Sequence, residues 1–224
     1  IPFLTADRSQ GYDKHFWQEE MALQERWGKI AGRPAAQRGE AGGRRLGLYD
    51  YLYGYGFLIP RIHAELLAKH LRHAWRSGFT DYYAEIFPNW GLDGITPWLT
   101  AQLLQDPEQS HEALLDEYYR RYFREAAEPM RRFHERCEEQ WMQQPGPAYW
   151  LKHYRSESQA IVFPSAVCRE LRTLLFERWD SCARTGEPST LTHDVELRHR
   201  AALCEHVGQL EQILARRDIF LRDA

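Results

Sequence analysis

The 224-residue chain has only four cysteines, Cys137, Cys168, Cys182 and Cys204, and no C-x-x-C pair among them. None clusters with histidine in the manner of metal ligands, so a structural zinc is not expected. Each falls in a segment of helical pattern, where a buried thiol behaves as a small hydrophobe. No apolar run approaches the length of a membrane span. A basic surplus is also lacking: 29 Lys and Arg stand against 32 Asp and Glu, a net charge of −3. That argues against a nucleic-acid partner, since such modules usually carry clear positive excess. The basic pairs Arg120–Arg121 and Arg131–Arg132 are interleaved with Glu at helical spacing, the pattern of a solvated face. No signal-peptide pattern occurs in these residues, which open on IPFLTADRS with no initiator Met. That opening is expected of the middle of a longer protein and leaves the compartment open.

Aromatic residues, by contrast, are plentiful: eight Trp, twelve Tyr and ten Phe. Rings of this size dominate buried area, so most belong in a core. The remainder can line a groove in which sugar rings stack. With 43% hydrophobic and 27% charged residues, a substantial core is expected.

Three short segments carry a strand pattern: IPFLT, then RLGLYDYLYGYG, then FTDYYAEIF. Between them lie two helical patterns. Residues 12–30 repeat Phe16, Leu23, Trp27 and Ile30, and a helix opened by Pro60 and stopped by Gly78 carries Ile62, Leu66, Leu67, Leu71 and Trp75. Strand, helix, strand, helix, strand with long connections predicts a parallel α/β layer. Three parallel strands make an incomplete sheet, so more of the same architecture is expected elsewhere. After Trp90 the pattern is helical throughout: about 96–105, a helix capped by Ser110 that Pro129 would kink or break, and helices near 164–184 and 192–221, with PGP at 145–147 as a firm break. We therefore expect residues 1–105 to be α/β and 106–224 to be helical, with helix predominating by residue count.

Each strand pattern ends on polar residues: Asp7 and Arg8; Asp50 and Tyr51, with Tyr53 beyond; Tyr83 and Glu85, with Asn89 and Trp90 beyond. Ligand sites of parallel α/β folds gather at carboxyl strand ends. Asp is also a common turn former and helix cap, which for Asp7 and Asp50 taken singly is the simpler explanation. Glu is a poor turn former, and an aromatic setting tends to raise a carboxyl pKa by desolvation. Glycoside hydrolysis needs such a group, together with a second carboxylate or the substrate's own N-acetyl oxygen. The histidines of the second helix, His63, His70 and His73, have spacing that can present metal ligands on one face. No acidic or Cys partner converges on them, and their mixed context suits an ordinary helix surface. Neither metal nor cofactor is expected.

LYDYLYG (residues 48–54), the Pro60-Arg61 that heads a helix, and YYAEIFPNWGLDG (residues 82–94) together resemble a bacterial glycoside-hydrolase-like barrel domain, domain of unknown function 4838. That group includes the endo-β-N-acetylglucosaminidases of glycoside hydrolase family 163. The resemblance covers roughly residues 1–125, and more loosely to about 155. It implies that the strands are the last three of a TIM (β/α)8 barrel whose earlier part is missing here, followed by a helical C-terminal region. It implies hydrolysis of N-acetylglucosamine-containing glycans with help from the substrate's acetamido group. Glu85 would then be one catalytic carboxylate, and Asp7, Arg8, Asp50, Tyr51, Tyr53, Tyr83, Asn89 and Trp90 would shape the sugar subsite. Asp7-Arg8-Ser9 lacks the Cys and His associated with this region in relatives. The 224 residues alone are expected to be inactive. The alternatives are a carbohydrate-binding or degenerate barrel without turnover, and a helical interaction module resting on residues 106–224.

Overall fold

The computed structural model describes residues 1, 3–32, 45–53, 56–57, 59–87, 93–156 and 158–184. Strands β1 (Phe3–Ala6), β2 (Gly47–Tyr53) and β3 (Asp81–Phe87) form one parallel sheet in the order β1-β2-β3. The connections contain α1 (Lys14–Ala31) and α2 (Ala64–Arg76). Then follow α3 (Ile95–Gln105), α4 (His111–Tyr118), α5 (Ala127–Met142), the short α6 (Gln159–Val162) and α7 (Ser165–Arg184). The chain is thus mostly helical around a small parallel sheet, as the alternating pattern predicts. The helix expected near 192–221 lies outside the described residues.

Local signals explain most boundaries. Asp13 caps α1, its Oδ1 accepting from the His15 and Phe16 amides at 2.9 and 3.4 Å. Ser110 caps α4 through the Ala113 amide at 3.2 Å. Gly78, at φ +94, takes the left-handed turn that follows α2. Two boundaries differ from expectation. Helix α2 starts at Ala64 rather than Pro60, because the carbonyl of Arg61 is engaged by the His63 ring at 3.1 Å and the chain turns helical only afterwards. The break expected at Pro129 falls earlier: a π-helical turn (Tyr119–Phe123) ends at Arg124, whose φ is +49. Pro129 instead sits in the first turn of α5, where its missing N–H costs nothing.

Two cores result. One joins Leu46 and Leu48 to Leu67, Ala68 and Leu71 of α2 and to Leu99 and Leu103 of α3. The other gathers Phe133, Cys137 and Trp141 of α5 with Leu171 and Cys168 of α7, and includes Ile59, Ile62 and Ile95. Trp98 packs against both, so apolar packing runs continuously across residue 105. No helix among the described residues is long and apolar enough to cross a membrane.

Candidate functional site

Side chains alternate across a strand, and the register sorts those of this sheet into two layers. Leu48 pairs with Tyr82 and Asp50 with Ala84; Tyr49 pairs with Tyr83 and Tyr51 with Glu85. Leu48, Asp50 and Leu52 are buried towards the helices. The opposite face is open, with Phe3 45% and Tyr83 52% exposed.

On the open face, Tyr49 donates its hydroxyl to Glu85 Oε1. That bond is the first cause of a strongly raised Tyr49 pKa, so the phenol remains a donor aimed at the carboxylate. The Tyr49 ring lies 4.9 Å from Tyr83 and 5.2 Å from Tyr51. Tyr51 in turn meets Trp150 edge-on, with centroids 5.0 Å apart and planes at 90°. Four rings and one carboxylate therefore form a continuous surface at the carboxyl end of β2 and β3. Trp150 comes from the segment between α5 and α6 and remains 43% exposed.

The helix-facing layer has a different chemistry. Arg8 forms a fully buried ion pair with Asp50. It also donates from Nε to His70 Nδ1 at 3.2 Å, while Tyr82 donates to Asp50 Oδ2 at 2.5 Å. The second Asp50 oxygen accepts from the Tyr51 amide at 2.7 Å. Asp7, also buried, accepts from Ser9 at 2.7 Å and from the Leu151 amide at 2.8 Å, with Arg61 at 3.8 Å. Burial, and then the charges of the neighbouring arginines, holds His63 and His70 well below the usual imidazole range, so both are neutral.

The structure brings together Glu85, Tyr51 and Tyr83 of the residues singled out by sequence. It places Asp7, Arg8 and Asp50 elsewhere, in a buried network of the helix-facing layer. Their grouping with Glu85 in one sugar subsite gives way to this placement, because residue 50 has the opposite strand parity from residues 49 and 51. His63 and His70 likewise lie in the interior and not on a helix surface: His70 Nδ1 accepts from Arg8, and the His63 ring meets the Arg61 carbonyl. The backbone of Tyr53 continues β2 opposite Phe87; Asn89 and Trp90 lie outside the described residues. Two site residues escaped the sequence reading. Tyr49 was legible from period-two alternation, which puts it beside Tyr51 and Tyr83. Trp150 has no sequence signal, because only tertiary packing brings it to β2. Among the described residues no group of three or more His, Cys, Asp and Glu is arranged to hold a metal ion.

Residues 41–135 match the family model described as Domain of unknown function (DUF4838). The matched stretch contains Tyr49, Tyr51, Tyr83 and Glu85; Arg8 and Trp150 lie outside it. No curated protein and no solved structure matches the chain.

Proposed function

We propose that the chain is the C-terminal part of a glycoside hydrolase barrel that acts on N-acetylglucosamine-containing glycans. The observation that carries this reading is the setting of Glu85. Three carboxylates lie on the strands. Asp50 is buried against Arg8, Asp81 pairs with Arg45 at the start of β3, and Glu85 stands at the carboxyl end among rings. Aromatic faces suit the apolar faces of pyranose rings, and the carboxylate supplies the chemistry. A parallel sheet with helices on one side and an aromatic inner side also accords with the last three βα units of a TIM barrel. In the reaction the glycosidic oxygen leaves with a proton from a carboxylic acid. The substrate's acetamido oxygen closes on the anomeric carbon, and water reopens the ring so formed. Glu85 is one carboxylate of the pair that supports these steps. Its partner belongs to an earlier strand.

The test is Glu85→Gln in the full-length protein, assayed on GlcNAc-containing glycans. A catalytic carboxylate predicts a loss in kcat of roughly 10²–10⁴-fold, whereas a loss of less than about tenfold overturns the assignment. A second reading, sugar binding without turnover, is favoured by Glu85 being the only strand carboxylate on the open face at the carboxyl ends, among the described residues. Binding retained in Glu85→Gln, with no hydrolysis by the wild type, would select it.

A further inference from the structure

The segment 145–156 crosses the carboxyl ends of β1 and β2 as a strap, and its attachments are specific. The Ala148 amide donates to Asp13 Oδ2 at 2.9 Å, the Leu151 amide to Asp7 Oδ2 at 2.8 Å and the Arg155 amide to the Gly56 carbonyl at 2.9 Å. The Lys152 ammonium ties the strap's own start, donating to the carbonyls of Pro145 and Pro147 at 3.0 and 3.1 Å. Leu151, His153 and Arg155 all adopt positive φ, at +49, +71 and +52. That conformation is uncommon for side-chain-bearing residues and persists only where surrounding contacts over-determine it.

A strap fixed so tightly leaves Trp150 half exposed, where an indole would be expected to turn inwards if packing were its only role. Its plane stands perpendicular to Tyr51, so the two rings make a corner. Glu85 is level with Tyr51 in the register, on the neighbouring strand. Tyr51 thus links the two: it neighbours Glu85 across the sheet and meets Trp150 ring to ring.

We propose that Trp150 is a substrate-binding residue: the strap presents its indole as the wall on which one sugar ring of an N-acetylglucosamine-containing glycan stacks, at the edge of the aromatic surface that holds Glu85. This rests on the carbohydrate reading of the Glu85 face. It adds that the helical region, outside the matched stretch, completes the sugar site and sets which ring is held there. Trp150 binds and positions; it takes no part in proton transfer.

The experiment is a calorimetric titration of the full-length protein with N,N′-diacetylchitobiose. The variants are Trp150→Ala, Trp150→Leu and Trp150→Phe, with Trp27→Ala on the exposed side of α1 as control. Loss of a stacking ring predicts Kd raised about tenfold in Trp150→Ala and Trp150→Leu. Trp150→Phe keeps a ring face and should stay within about threefold, and Trp27→Ala should match the wild type. Trp150→Leu keeps apolar bulk, so it serves if the alanine variant fails to fold. Wild-type binding with Trp150→Leu unchanged would overturn the role of Trp150 and leave the Glu85 reading standing. No binding of the probe by the wild type would overturn both.

Discussion

Two carboxylate–tyrosine pairs sit within a few ångströms of one another on the same sheet, and they have opposite fates. On the helix side Tyr82 donates to Asp50, Arg8 neutralises the charge, and Arg8 and Asp50 are both buried. On the open side Tyr49 donates to Glu85 and the surroundings are rings with exposed faces. The residue types are nearly identical. What differs is the layer: a buried guanidinium on one side of the sheet, partly exposed rings on the other. A carboxylate locked beneath the sheet by a buried guanidinium is committed to holding the fold, and one held by a tyrosine on the open face lies among the rings that a ligand would meet.

The largest expected effect comes from breaking the buried pair. Arg8→Ala leaves Asp50 as an uncompensated charge beneath the sheet and should cost about 3–5 kcal/mol in urea unfolding. The double variant Arg8→Met with Asp50→Leu removes both charges and should recover much of that loss. A double variant as unstable as the single one would show that Arg8 acts through packing rather than through its charge.

The two tyrosines sharpen the contrast at smaller scale. Tyr82→Phe deprives buried Asp50 of a donor and should lower stability by about 1–2 kcal/mol. Tyr49→Phe removes a donor from a carboxylate that water can reach, and should change stability by less than about 0.5 kcal/mol. Equal effects in chemical denaturation would erase the distinction between the faces.

The last effect is one of pH. Glu20 of α1 lies near Arg8 and Asp7, with Oε2 buried and without a hydrogen-bond partner. Burial first, and then the charge of Asp7, pushes its pKa from 4.5 to about 7. The folded state therefore keeps a proton that the unfolded chain releases near pH 4.5. Between pH 4.5 and about 7 the unfolded state binds fewer protons, so stability falls as pH rises through that window. Glu138, also raised to about 7 by burial, adds to the same slope. Glu20→Gln should flatten the curve and stabilise the protein at pH 8; an unchanged slope would mean that Glu20 is already solvated.

Particular residues show how far such a site can be read from sequence. The three strands, both crossover helices and the Asp13 and Ser110 positions are legible because hydrophobic period and turn chemistry are local. Glu85 stands out because glutamate at a strand end has no local role. Asp50 and Glu85 both close a strand pattern, although alternation alone separates residue 50 from residues 49 and 51. The interior placement of His70 is not legible, since it depends on tertiary packing that brings Arg8 against it from 62 positions away. Trp150 lies beyond the matched stretch, and no periodicity connects it with β2.

The strap has a further consequence, for the order of assembly. Asp7 and Leu151 are 144 positions apart, and Asp13 and Ala148 are 135 apart. Contacts this distant along the chain carry a loop-closure cost that nearby helices and caps do not, so they are rewarded only after both ends are already folded. Helix α1 can be capped by Asp13 Oδ1 early, while Oδ2 waits for a segment that must first be placed by α5. The aromatic corner is therefore expected to form late, and protection of the Ala148 and Leu151 amides in pulsed hydrogen exchange should trail that of α1.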